Sequence, residues 1–328
     1  MRKIIASLVV LSLAISVAGC NLFAKDPQQA VDDGMTNLAG VKKMNSSLVM
    51  SGTMKGLPGE KPQLVQFSVT AAGKTDTSQE TSPIIDLTMS INATMDGQKM
   101  AGDVALRVVD KKIFAKVVKL EMPGAQGKAI TDQLGSVLTT WWSLPIGEES
   151  SFSDFSKKQK EFQDVLKSAK FFTNAKEEGK ETVQGVATVR YRVDLNKDAV
   201  KKFILDTIRI SENQLTPEDE NAIGEQLKDV EASGAVWVGD DDYIHRVKGT
   251  ITVQPKVGPS TSFEIDFTAG DYGKDIAVAS PEGAQKFNPI MMIPLLGALS
   301  SIEPAAAVPG TDTGDLGAAQ VKPAMPKK

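Results

Sequence analysis

Few residues in this 328-residue chain have the chemistry that catalysis needs. There is one thiol, Cys20, and one imidazole, His245. A single histidine cannot form a His-pair zinc site and gives little support to a Ser-His-acid relay. His245 follows "GDDDYI" at the start of a strand-like run, so a surface or strand-edge side chain is expected there. The acids of "GDDDY" (239–243) lack the alternating spacing and closing Glu of an EF-hand loop and read as a hairpin turn. "GLPGEKP" (56–62) holds glycine and lysine without the spacing of a phosphate loop, and "PEDEN" (217–221) is the acidic first turn of a helix. No catalytic residue, metal ligand or cofactor motif is assigned, and the expectation is a protein without enzymatic activity.

The thiol is explained by its neighbours. Arg2 and Lys3 precede an apolar run from Ile4 to Val17, then Ala18, Gly19 and Cys20. These are the charged, apolar and small-residue regions of a secretory signal peptide. The run is shorter than the roughly 18 to 20 residues that cross a bilayer as a helix. "VAGC" (17–20) resembles the bacterial lipobox, in which the cysteine sulfur receives a diacylglycerol and then becomes the first residue of the mature chain. The resemblance implies a signal peptide over 1–19, Cys20 as the lipid attachment site for palmitate-type chains, and a tether over 20–26. Two or three acyl chains anchor stably where one is marginal. The mature chain would be exported and held to the cell membrane or outer membrane, facing the periplasm or exterior. It has no second cysteine and can form no internal disulfide.

Charge excludes another class of partner. Residues 1–19 hold Arg2 and Lys3 and no acid, so their removal takes the net charge from -4 to about -6. No basic surplus remains to neutralise phosphates, which argues against nucleic acid. With 41% hydrophobic residues the chain can bury a large core, and Met (12 residues) is common where aromatics are few (5%).

The elements read in the order helix, strands, helix, strand pair, helices, strands. "IIDLTMSINATM" (84–95) puts Ile85, Leu87, Met89, Ile91, Ala93 and Met95 on one face and polar residues on the other, the period of a half-buried antiparallel strand. "SLVMSGTM" (47–54), "LVQFSVTAAG" (64–73), "GDVALRVVD" (102–110) and "KIFAKVVKL" (112–120) continue a meander of hairpins. Helices are expected over 27–44, 153–168, 196–208 and 216–230, the last with Thr216 as N-cap and Pro217 in the first turn. Strands resume at 234–239, 245–253 and 261–269. The order predicts an α+β fold, a curved antiparallel sheet with helices on one face. "FNPIMMIPLLGALSSI" (287–302) is apolar but interrupted by Pro289 and Pro294, and is expected to pack on the protein. Residues 304–328, rich in Ala, Pro and Gly, read as a disordered tail.

"GKETVQGVATVRYRVDL" (179–195), "GAVWVGDDDYIHRVKGTITV" (234–253), "FEIDFTAGDYGKDIAVASPEGA" (263–284) and "TTWWSLP" (139–145) together resemble the LolA/LolB/LppX-like superfamily, closest to its LppX-type members. The resemblance spans most of 27–284, within a domain placed at 27–286 and followed by the apolar segment at 287–303. It implies a half-barrel whose concave face is covered by helices and holds lipids or acylated molecules. Flexible Met50, Met54, Met89 and Met95 suit an irregular apolar ligand. Candidate cavity residues are Leu87, Met89, Ile91, Val189, Tyr191 and Val193 on strands, and Trp141, Trp142, Phe155 and Phe162 as covering aromatics. The reading is an envelope lipoprotein that binds an apolar or acylated ligand for carriage, its membrane contact made through Cys20 and its protein partner unknown. The alternative is a structural or interaction lipoprotein with a solid core that docks an envelope partner.

Overall fold

The computed structural model describes residues 25–55, 64–79, 81–95, 97–144, 150–211, 215–254 and 260–287. All belong to the first of the two units into which the chain divides, Met1–Phe287. Cys20, the signal region and the stretches at 288–303 and 304–328 lie outside the described residues.

The chain opens with helix α1 (Pro27–Gly40), capped by the Asp26 carboxylate, which accepts from the Gln28 amide. Pro27 in the first turn gives up no helical hydrogen bond there. The expected extension of this helix to residue 44 fails because Lys43 already belongs to the sheet. Five long strands then run as hairpins: β1 (Lys43–Lys55), β2 (Leu64–Asp76), β3 (Ile84–Met95), β4 (Gln98–Val109) and β5 (Lys112–Glu121). Helix α2 (Gly124–Leu138), absent from the sequence reading, leads to the short β6 (Trp142–Leu144). Helix α3 (Ser150–Ser168) carries the chain to β7 (Phe172–Val183) and β8 (Val186–Leu195). Helices α4 (Lys197–Ile210) and α5 (Pro217–Lys228) follow, then β9 (Val230–Gly239), β10 (Ile244–Val253), β11 (Ser260–Gly270) and the two-residue β12 (Gln285–Lys286).

All twelve strands form one sheet in the order β12-β6-β5-β4-β3-β2-β1-β11-β10-β9-β8-β7. The first half grows outward from β1, and the second half folds back until β11 pairs with β1 over eleven residue pairs. Every pairing is antiparallel except β12 with β6. The sheet curves without closing, a half-barrel of the α+β class. Its core lies where α1 crosses β8–β10, with Val31, Val236 and Ile244 fully buried beside Tyr191 and Val193.

His245 corrects the sequence expectation. It is 1% exposed, sitting in the register shift between Ile244 and Arg246. The extra residue of a bulge turns its side chain out of the alternation. Its Nε2 reaches both Asp241 carboxylate oxygens at 3.0 and 3.1 Å, so the tautomer carries the proton on Nε2. Tyr272 packs on the imidazole, and its hydroxyl donates to the Ile244 carbonyl. Burial, with the Asp241 charge, holds the Tyr272 hydroxyl well above the ordinary phenol range. The "GDDDY" acids are thus structural: Asp241 orients His245, and Asp242 pairs with Lys25 at 2.7 Å.

Candidate ligand-binding face

Strand register decides which side chains share a surface. Starting from Ile91, the cross-strand partners are Val69, Met50, Ile265, Gly249, Gly234 and finally Val193. The adjacent row runs from Met89 through Ala71, Leu48, Phe267, Val247 and Val236 to Tyr191. Both rows are apolar from end to end. They join the two separate sets of strand candidates on one face, the face on which α1 packs. Leu87 opens a third row opposite Gly73 and Leu106, and Val189 lies opposite Val238 next to the α1 core. Burial, aided by the Glu177 charge, raises the affinity of the Tyr191 hydroxyl for its proton, so it stays neutral.

Helices do not cover this inner face evenly. α1 packs on β7, β9 and β10, and α2 packs on β5. No helix among the described residues packs as extensively on β1–β4 or β11. There the inner face meets solvent, with Ile91 43%, Met95 38% and Met100 40% exposed. Beside the α1 core, on the β8–β11 side of the sheet, lies an apolar pocket of about 220 Å³ whose walls include Phe171, Val193, Ile251 and Ile265. Its floor is the facing pair Gly234 and Gly249. A Cβ on Gly234 would stand 2.5 Å from the Lys248 carbonyl oxygen, and one on Gly249 would stand 2.9 Å from that of Ser233. Glycine is therefore required where the curling sheet brings backbone against backbone, and the missing side chains leave the pocket.

The aromatic candidates separate. Trp142 lies on the inner face opposite Ala115, donates its indole N–H to the Val137 carbonyl at 2.9 Å and meets Phe287 edge-on. Trp141 lies instead under the Arg107 guanidinium, whose carboxylate partner Asp86 occupies the other face. Adjacent residues of an extended chain point to opposite sides. Phe162 packs on Phe203 of α4 with 37% of its surface exposed, and Phe155 lies within α3. The sequence reading missed Phe171, Phe172, Gly234 and Gly249. The two glycines inside strand patterns were a usable signal, since such a glycine marks a bulge or a close backbone approach.

Among the described residues no three acids, histidines or cysteines cluster as a metal site, and no helix is long and apolar enough to cross a membrane. No protein-family model and no curated protein matches the chain. Among solved structures it is similar to LprF from Mycobacterium bovis, at 13% identity over 79% of this chain and 99% of that one, with a TM-score of 0.34. A DUF1329 family protein from Desulfovibrio piger matches at 11% identity over 78% of this chain and 96% of its own, with a TM-score of 0.20. The chain is also similar to the lipoprotein LppX from Mycobacterium tuberculosis, at 13% identity over 77% of this chain and 98% of that one, with a TM-score of 0.34.

Proposed function

We propose that this chain is an exported bacterial lipoprotein, held to a membrane by acyl chains on Cys20, that carries an apolar or acylated ligand on the inner face of its half-barrel without chemical conversion. The observation that carries this reading is the inner face itself: two apolar rows cross from β3 to β8, open over β1–β4 and end at an apolar pocket. The pocket's 220 Å³ is smaller than the roughly 300–1,000 Å³ of drug-sized sites, so it takes one end of a chain while the rest lies along the open rows. Each methylene moved there from water contributes about 0.8 kcal/mol.

The test uses the mature chain with Cys20→Ala, lipid extraction with mass spectrometry, and uptake of an uncharged fluorescent acyl probe. Co-purifying lipid and saturable uptake are expected. Ala232 lines the pocket and is half-buried, so Ala232→Phe fills it and lowers probe affinity about tenfold while the fold is kept. No lipid and no uptake would sink the carrier reading and leave the alternative, a solid domain that docks an envelope partner.

A further inference from the structure

A second cavity has the opposite chemistry. It lies where α3 passes the junction of α1 with β1 and the turn between β2 and β3, and its volume is about 180 Å³. One face of α3 contributes Gln159, Lys160, Gln163 and Lys167, which recur at helical spacing. Lys42 and Gln79 face them across the cavity, and Asp164 is the single acid in its wall.

The far wall is preformed. The Asp76 carboxylate accepts from the Ser78 amide at 2.9 Å and the Ser78 hydroxyl at 2.5 Å, fixing the turn. The Thr77 amide donates to the Lys42 carbonyl at 2.7 Å and ties that turn to the start of β1. Nearby acids are already engaged elsewhere. Lys43, the neighbour of Lys42, takes Asp76 at 3.5 Å and Asp275 at 2.8 Å, and Lys170 takes Asp32 at 3.2 Å. Lys42, Lys160 and Lys167 form no ion pair among the described residues. Three ammonium groups and three amides thus border a polar cavity with one carboxylate, a surplus of positive charge that an anion would offset.

We propose that this cavity holds a phosphate-type anion. Resting on the carrier reading above, we take that anion to be the headgroup of an amphiphile whose chains lie on the inner face. Helix α3 links the two regions. Phe162, on the side of α3 away from Lys160 and Lys167, packs on Phe203 at 5.6 Å, and Phe203 packs at 5.0 Å on Phe171, a wall of the apolar pocket. Acyl chains supply affinity that does not depend on charge, and the lysines select an anionic head from a neutral one.

The experiment titrates the mature Cys20→Ala chain with dihexanoyl phosphatidylglycerol, dihexanoylglycerol and inorganic phosphate, all as monomers, by calorimetry. The two lipids share chains, and only the first carries a phosphate. The anionic lipid is expected to bind about tenfold tighter, and phosphate to compete with it but not with dihexanoylglycerol. The triple substitution Lys42→Gln, Lys160→Gln, Lys167→Gln abolishes the difference and leaves dihexanoylglycerol affinity unchanged, while the matching Lys→Arg variant keeps it. Equal affinity of the native chain for both lipids, or a preference that survives the glutamine variant, overturns the proposal. Lysine-dependent phosphate binding with no binding of either lipid overturns the headgroup assignment and supports a site for free phosphate. Uptake of the uncharged probe is read in parallel. If it is absent while the lysine-dependent anion binding remains, the carrier reading fails and the anion site stands.

Discussion

At Asp76 one carboxylate holds together three segments of the chain. It accepts two hydrogen bonds from Ser78 and faces Lys43 at 3.5 Å, which in turn holds Asp275 beyond β11. Burial opposes its ionisation, but the Ser78 hydrogen bonds and the Lys43 charge prevail, so its proton affinity lies below the ordinary value of 3.8. A carboxyl depressed in the folded state stabilises it above the unfolded value, and this stabilisation is lost as pH falls through the folded value. Asp76→Asn should therefore cost about 1 kcal/mol at pH 7 in urea denaturation. The gap between variant and native chain should hold down to about pH 4 and narrow below it, as pH falls through the folded value and Asp76 takes up its proton. A gap that persists unchanged at pH 3 would show that the charge is immaterial. The alternation of "IIDLTMSINATM" assigned its apolar side chains to one face, but no local pattern told that Gly234 and Gly249 meet in register. That contact joins residues on separate strands, and only pairing creates it.

Helices illustrate the same division one level up. α1 was expected over 27–44, and the structure shows its start capped by Asp26, so Asp26→Ala is expected to cost about 1 kcal/mol in urea denaturation. The loss should show first as faster amide exchange in α1, because that helix carries Ala30 and Val31 into the core and Gln28 bonds to the β7 backbone. Unchanged exchange in α1 would mean that packing on β7–β10 alone sets its stability. α2 was not legible. "GAQGKAITDQLGSVL" holds three glycines, has no side-chain cap at its start and no charge at either end that suits the helix dipole. Its helical state depends on packing over β5 and on the indole bond from Trp142, which no local propensity encodes. β7, where charged residues alternate with few apolar ones, was legible only in its second half, around the turn into β8.

For the whole molecule, anchoring and binding are separable expectations. Cys20→Ala should move the protein from the membrane fraction to the soluble fraction on cell fractionation while probe uptake by the folded domain is unchanged. A variant that stays in the membrane fraction would show that another part of the chain provides attachment. The sequence by itself determined the succession of hairpins, helices and returning strands, and with it an α+β fold on a curved antiparallel sheet; the half-barrel was what the resemblance implied. Periodicity and caps are local, and each element's apolar face must be buried against another. It also determined, through a lone thiol after a short apolar run, where an acyl anchor would be expected. Tertiary structure alone decided that Met89 and Ile91 share a continuous surface with Tyr191 and Val193, since seven strands must pair in register to connect them. It alone placed Trp141 and Trp142 on opposite sides and turned His245 inward at a bulge. Each of these depends on which backbone lies beside which, a property of long-range pairing that no short window of sequence contains.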